Sequence, residues 1–254
     1  MRICTRSDGW ALTALGLAAG AAAWEVAGRR IGDAFMAPLS STLERLAELA
    51  RSGELWSALD SSLLLFATGL ALSVLVGIPF GLLLARVRLL RIALESYITV
   101  LNATPMAALI PFILSMMGFG FAPKVLVVFL FAVFPIIYNT VEGARSIKPE
   151  LIEVARSFRS SERALWRDVL FPFVLPFALS GVRQAIGRAL VGMVAAEFFL
   201  SASGIGLLIQ NGTQSFDTPE VFAAVLLVTL LGVALMELGT ALERRFAAWR
   251  NIRT

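Results

Sequence analysis

Long apolar runs with few charges separate short clusters of charged residues along this chain, and this pattern restricts the fold more than any other feature. An α-helix needs about 20 mostly apolar residues to cross a bilayer, and most of these runs are long enough. Only 16% of the residues are charged, against about 25% in a typical soluble domain. We therefore predict an all-α, polytopic membrane protein with about six transmembrane helices, forming a single domain over residues 1–254.

The apolar runs place the predicted spans at residues 10–27, 62–85, 92–117, 125–141, 169–200 and 222–242. The first run also resembles a cleaved signal peptide, because Ala21, Ala22 and Ala23 form a cleavage-like stretch. An uncleaved span is favoured, since Trp24 and Glu25 follow directly. In residues 38–57 leucines alternate with Glu and Arg, which predicts an amphipathic surface helix ahead of a core at about residues 58–243.

The distribution of Lys and Arg predicts the orientation. If the N-terminus is cytoplasmic, the segments on that side carry fifteen Lys and Arg, and the opposite segments carry five. This excess favours both termini in the cytoplasm, although Arg29 and Arg30 lie on the other side. The same rule explains the net charge of +4 and pI near 10. We therefore expect membrane lipids, and no nucleic acid, as partners of the basic surface.

Composition also excludes several kinds of chemistry. The chain has no histidine, which removes the commonest general base and metal ligand, and a single cysteine, Cys4, which rules out a disulfide within the chain. We find no nucleophile elbow and no phosphate-binding glycine loop. The sequence thus predicts a protein without catalytic residues, metal site or cofactor of its own.

Residues 142–168 form a polar stretch between the fourth and fifth predicted spans. Pro149 suits the first turn of a helix, and Glu150 lies where the helix dipole favours negative charge. Helical spacing puts four apolar residues on one face: Leu151, Val154, Ala155 and Phe158. Ser161 is placed to cap a second short helix from Glu162. Two interpretations remain open, a solvated loop with ordinary caps or a helix that docks on a cytoplasmic partner.

This stretch resembles the EAA loop of ABC importer permeases through Glu153-Val154-Ala155, then Leu170-Phe171-Pro172 and Pro176. Further pieces in the same order resemble the nitrate, sulfonate and taurine branch from Pro38 onward. They are Ala108-Leu109-Ile110-Pro111, Phe134-Pro135-Ile136, Asn139-Thr140, Gly181-Val182-Arg183, Val194-Ala195-Ala196-Glu197, Gly204-Ile205-Gly206 and Trp249. Each piece is weak alone, but their order and spacing are fairly specific.

The resemblance implies a type I ABC importer permease fold in a bacterial inner membrane. It implies a second permease copy or related chain, two ATP-binding subunits that carry ATP and Mg, and a periplasmic or lipid-anchored substrate-binding protein. The implied cargo is a small anion such as a sulfonate, taurine, nitrate or an aromatic carboxylate. By resemblance, the residues that couple to the ATPase are Glu153, Val154, Ala155, Phe158 and Arg159.

Two residues depart from the family pattern. Arg159 stands where the loop has glycine, so a left-handed backbone there would cost about 1–2 kcal/mol. Asn102 stands where that branch often carries arginine, which weakens the expectation of an anionic cargo.

Polar residues inside the predicted spans are the candidates for the substrate pathway. They are Asn102, Thr104, Asn139, Arg183, Gln184 and Glu197. Arg188 is a further charge in the fifth span. Intramembrane charges are costly and mark pathways or ion pairs, and polar side chains also join helices by hydrogen bonds. The sequence leaves these roles open.

An ion-coupled secondary transporter is the main alternative function. Such proteins often have repeated halves with broken helices at the midplane. We find no convincing repeat between residues 1–127 and 128–254.

Overall fold

The computed structural model describes residues 6–32, 35–200 and 203–247. Every regular element in these ranges is helical. The helices are α1 (Arg6–Ile31), α2 (Leu39–Ser52), α3 (Glu54–Arg86), α4 (Arg88–Ala103), α5 (Ile110–Met117), α6 (Phe121–Arg145), α7 (Pro149–Ser157), α8 (Glu162–Leu165), α9 (Phe171–Leu200), α10 (Ile205–Ser215) and α11 (Thr218–Ala247). A 3₁₀ turn, Met106–Leu109, precedes α5, and a π-helical turn, Trp166–Leu170, precedes α9. Our predictions that involve Arg2, Cys4, Trp249, Arg250 and Arg253 lie outside the described residues.

Four helical stretches of the described chain are long and apolar enough to cross a membrane: Glu54–Arg86, Phe121–Arg145, Glu162–Phe199 and Thr218–Ala241. A fifth candidate is the bent pair Arg88–Ala103 and Met106–Met117. These five contain most of each predicted span after the first. The first predicted span coincides with the helix α1, but the described part of α1 does not meet the same criteria. Among the described residues, four to five spans therefore meet these criteria, and the first of the six predicted spans stays a prediction.

The third predicted span, residues 92–117, is not a straight helix. Its two halves meet at 88°, with the break at Thr104 and Pro105. Thr104 leaves the helix with φ −66° and ψ 132°. The cause is local, because proline disfavours helical backbone in the residue before it and supplies no N–H of its own.

The predicted amphipathic helix over residues 38–57 is corrected in two respects. The helix α2 ends at Ser52, because Gly53 adopts a left-handed φ of +88°, and residues 54–57 form the first turn of α3. The apolar face of α2 is not wholly a surface for lipid, since Leu49 is buried against Leu55 of α3 and Ala223 of α11.

An arginine of α2 fastens that helix to the first turn of α11. Arg45 Nη2 lies 2.7 Å from Glu220 Oε2 and 3.4 Å from Asp217 Oδ2. The hydrogen bond to Glu220, followed by the one to Glu48, raises the pKa of the Arg45 guanidinium above its ordinary value. This ion-pair network lies at the end of the molecule where α3 and α11 begin.

The core consists of α3, α6 and α9 packed side by side. Leu65 of α3, Val128 and Ile136 of α6, and Met193 of α9 are almost fully buried in one cluster. Small residues recur every fourth position in α3 at Gly69, Ser73, Gly77 and Gly81. A Cβ atom added at Gly69 would overlap Val128 Cγ1, so these small residues allow the backbones of α3 and α6 to approach closely.

Candidate coupling helix and substrate pathway

The polar stretch of residues 142–168 forms the short helix α7, as predicted. Pro149 occupies its first turn after Lys148, whose backbone is extended. None of the side chains of α7 is buried. Its apolar residues are largely in solvent, with exposed fractions of 44% for Leu151, 54% for Val154 and 81% for Phe158 just beyond its end. A helix that leaves this much apolar surface uncovered is typical of a docking element.

The end of α7 is closed by the turn that the family pattern assigns to glycine. Arg159 has a φ of +54°, so its backbone is left-handed. The Arg159 N–H donates to the Arg156 carbonyl at 2.8 Å, and the Ser160 N–H donates to the Ala155 carbonyl at 3.1 Å. These two bonds make a Schellman cap, which normally has glycine at this position. The turn therefore forms with arginine at this position, at a cost of about 1–2 kcal/mol.

The segment after α7 is fixed to α3 by contacts that the sequence did not predict. The Ser161 hydroxyl accepts the Ala164 N–H at 3.2 Å, and this N-cap begins α8 as expected. The guanidinium of Arg86, at the end of α3, lies 5.3 Å from the centroid of the Trp166 ring and 4.0 Å from Glu162 Oε2. The only sequence signal for these contacts was Trp166 itself, five residues after the cap at Ser161. That spacing does not indicate that the ring contacts an arginine of another helix.

The polar pathway candidates do not form one site. Asn102 and Thr104 line a cavity of about 350 Å³ between the bend of α4, α6 and α9. Arg188 lines the same cavity, and its Nη1 donates to Asn102 Oδ1 at 2.8 Å. The structure thus places Arg188 in the same cavity as the two pathway candidates Asn102 and Thr104.

Asn139 and Gln184 meet each other beside this cavity. The Gln184 amide donates to Asn139 Oδ1 at 3.3 Å, and the Asn139 amide donates to the Pro135 carbonyl at 2.8 Å. A Cβ atom added at Gly181 would lie 2.9 Å from Asn139 Cβ. The contacts between Asn139, Gln184 and Gly181 bring α6 and α9 together, as expected of polar and small residues that join helices.

Arg183 is ion-paired within the helix bundle. Its Nε lies 3.0 Å from Glu243 Oε2 of α11, and the hydroxyl of Ser180 also donates to Glu243. This is the ion-pair alternative that the sequence left open. Arg183 does not line the cavity that contains Arg188.

Glu197 is buried at the opposite end of the bundle from α7, with 1% of its surface exposed. Its carboxylate accepts the Ser62 hydroxyl at 2.7 Å and the Gly206 N–H at 3.0 Å. The Ser62 oxygen in turn accepts the Ile205 N–H at 2.9 Å. Glu197 therefore joins α3, α9 and the start of α10, and the sequence had predicted neither this network nor the helix α10.

The sequence pattern of the family described as "Binding-protein-dependent transport system inner membrane component" matches residues 77–248. The chain is 32% identical over 204 residues to an aliphatic sulfonates transport permease protein, SsuC, of Bacillus subtilis, which covers 80% of this chain and 74% of the relative. It is 35% identical over 207 residues to the riboflavin transport system permease protein RibX of Chloroflexus aurantiacus, which covers 78% of this chain and 77% of the relative.

A chain of the MetNI methionine ABC transporter, solved in an inward-facing conformation, has the same fold. The TM-score is 0.65 with 18% identity, over 78% of this chain and 98% of that one. The sulfonate relative agrees with the branch that the motifs indicate, and the match to MetNI confirms the all-α permease fold. Together with the family match over more than half of its length, these findings show that the chain belongs to the inner-membrane components of binding-protein-dependent transport systems, the permeases of ABC transporters.

Proposed function

We propose that this chain is the permease subunit of an ATP-driven importer of a small anion, and that α7 is the surface on which a separate ATP-binding subunit docks. The observation that carries the proposal is the exposed apolar face of α7 at Leu151, Val154 and Phe158. The described residues leave between 44% and 81% of each of these side chains uncovered. The motif residues Glu153, Ala155 and Arg159 lie on or directly after the same helix.

The connections of α7 suit it to transmit a displacement into the core. Only residues 146–148 separate it from α6, whose C-terminal Arg145 is followed directly by this linker. On its other side α8 and the π-helical turn lead into α9. The Arg86 contacts with Glu162 and Trp166 link the same segment to α3. Movement of α7 is therefore passed to all three helices of the core.

Charge supports a cytoplasmic location for the α7 end, and both termini lie on the same side in this proposal, which counts the first predicted span as the sixth. Two groups of basic residues lie at this end. The junction of α3 with α4 carries Arg86, Arg88 and Arg91. The region of α7 and α8 carries Arg145, Lys148, Arg156, Arg159, Arg163 and Arg167. Lys and Arg concentrate on the cytoplasmic side of membrane proteins. An ATP-binding subunit reaches α7 only from that side.

A second permease copy or a related chain completes the pathway in this proposal, because the cavity at Asn102 and Arg188 opens to the outside of the single chain. Two ATP-binding subunits, which hold ATP and Mg, and a periplasmic or lipid-anchored binding protein complete the importer. The sulfonate relative supports an anionic cargo, whereas the riboflavin relative shows that the family also carries other solutes. The family match does not favour an ion-coupled secondary transporter.

The proposal is tested with the assembled complex in proteoliposomes, where uptake and ATP hydrolysis are measured together. Glu153→Arg and Ala155→Trp each alter the surface of α7 without touching the core. We expect uptake to fall at least about tenfold, the equivalent of about 1.4 kcal/mol of coupling, while hydrolysis persists or the ATPase dissociates.

Matched controls are Glu44→Arg and Ala47→Trp, which make the same changes at exposed positions of α2. These controls should leave uptake unchanged. Normal uptake in both α7 variants would exclude the coupling role of α7.

A further inference from the structure

We propose that Arg188, held by Asn102, is the anion-binding residue of the pathway. This inference rests on the proposed function, since it assigns the chemistry of the cargo to one place on the permease. The first observation is the position of Arg188 in α9, seventeen residues after Phe171 and twelve before Leu200. A charge this near the middle of a membrane-crossing helix is costly unless a partner, water or a ligand compensates it.

The charge of Arg188 has no carboxylate partner. Within the part of the chain that the structure describes, no Asp or Glu lies within ion-pairing distance of its guanidinium. Its hydrogen-bond partner is the neutral Oδ1 of Asn102, at 2.8 Å. Arg183, five residues earlier on α9, is by contrast paired with Glu243 at 3.0 Å. Asn102 therefore orients the Arg188 guanidinium without cancelling its charge.

The cavity beside Arg188 has the composition of a small-ligand site. Its volume of about 350 Å³ lies at the low end of the range for ligand pockets, about 300–1,000 Å³. Three polar side chains, Asn102, Thr104 and Arg188, converge on walls made mainly of Leu130, Phe131, Phe134 and Val191. A guanidinium is the side chain best suited to bind an oxyanion through two parallel N–H donors.

The position of Arg188 also decides which solutes the cavity suits. Its guanidinium comes from α9 and lies 2.8 Å from Asn102 Oδ1, so a positive charge reaches the bend of α4 from a different helix. The site therefore fits a small oxyanion, such as a sulfonate, better than a neutral solute.

The test uses the full-length chain with Cys4→Ser and Val191→Cys, which leaves one cysteine, because the natural chain has only Cys4. Val191 is 60% exposed, lines the cavity and lies one helical turn from Arg188 on the same face. The rates of its modification by an anionic sulfonatoethyl and a cationic trimethylammonium methanethiosulfonate are compared. We expect Arg188→Gln to lower the anionic-to-cationic rate ratio at least about tenfold. Arg183→Gln, the matched control on α9, should leave the ratio within about twofold.

A second arm identifies the anion that binds. Methanesulfonate should slow modification of the cysteine when Arg188 is present and not in Arg188→Gln. A rate ratio unchanged by Arg188→Gln would overturn the proposal, and so would protection by phosphatidylglycerol with none by methanesulfonate, which would assign Arg188 to a lipid headgroup. The assay needs no ATPase, so failure of α7 to bind an ATP-binding subunit would reject the proposed function without changing this result.

Discussion

Removal of the Ser62 hydroxyl is the perturbation whose cost is best defined by the structure. This hydroxyl donates to the Glu197 carboxylate at 2.7 Å and accepts the Ile205 N–H at 2.9 Å, and Ser62 is fully buried. Ser62→Ala deprives the buried Glu197 carboxyl group of one hydrogen-bond donor and leaves the Ile205 N–H without its acceptor, each at about 1–3 kcal/mol. Partial relaxation reduces the sum, so we expect a loss of about 3 kcal/mol.

The loss is measured by heating the detergent-solubilised, full-length chain and recording the fraction that remains monodisperse by size-exclusion chromatography. For a chain of this size the midpoint should fall by about 6–12 °C. Ser73→Ala is the matched control, since Ser73 is equally buried on α3 but donates mainly to the carbonyl of Gly69 in its own helix. The reasoning is refuted if Ser62→Ala lowers the midpoint no more than Ser73→Ala.

Three further predictions concern helix contacts and the turn after α7. Gly77→Leu should lower the thermal midpoint by several degrees, because a Cβ atom there would lie 2.9 Å from Ile136 Cγ2, whereas Gly16→Leu, which meets nothing within 4 Å, should not. Arg159→Gly should slow amide hydrogen exchange at Ser160, because glycine relieves about 1–2 kcal/mol of left-handed strain. Faster exchange at Ser160 would contradict this prediction, and Ser157→Gly, inside α7, is the control for a glycine in helical backbone. Arg45→Gln and Glu220→Gln, in a double-mutant cycle of thermal stability, should couple by about 1 kcal/mol, and additive losses would show that the ion pair is not stabilising.

Those parts of the fold that depend on local chemistry could be predicted from the sequence. Hydrophobic length predicted the five later spans, Pro149 predicted the start of α7, and Ser161 predicted the start of α8. We expected a left-handed backbone at Arg159 if the turn that has glycine in the family pattern was kept, and Arg159 has that backbone. The 88° break at Thr104 could be located from Pro105, but its angle depends on packing against α6 and could not be predicted.

The parts that depend on contacts between distant helices could not be predicted. The bonds from Arg188 to Asn102 and from Ser62 to Glu197 join residues 86 and 135 positions apart. One sequence gives no information about which polar residues of different spans face each other. For the same reason the sequence could not show that Arg183 lies in an ion pair with Glu243 and Glu197 in a buried hydrogen-bond network.

The central claim, that α7 couples this permease to ATP hydrolysis, is tested most directly by native mass spectrometry of the affinity-tagged chain purified from its own membrane. We expect the chain to carry a separate ATP-binding protein in equal number, and Ala155→Trp to abolish that association while Ala47→Trp retains it. Purification without any ATP-binding protein, together with uptake driven by an ion gradient, would contradict the account.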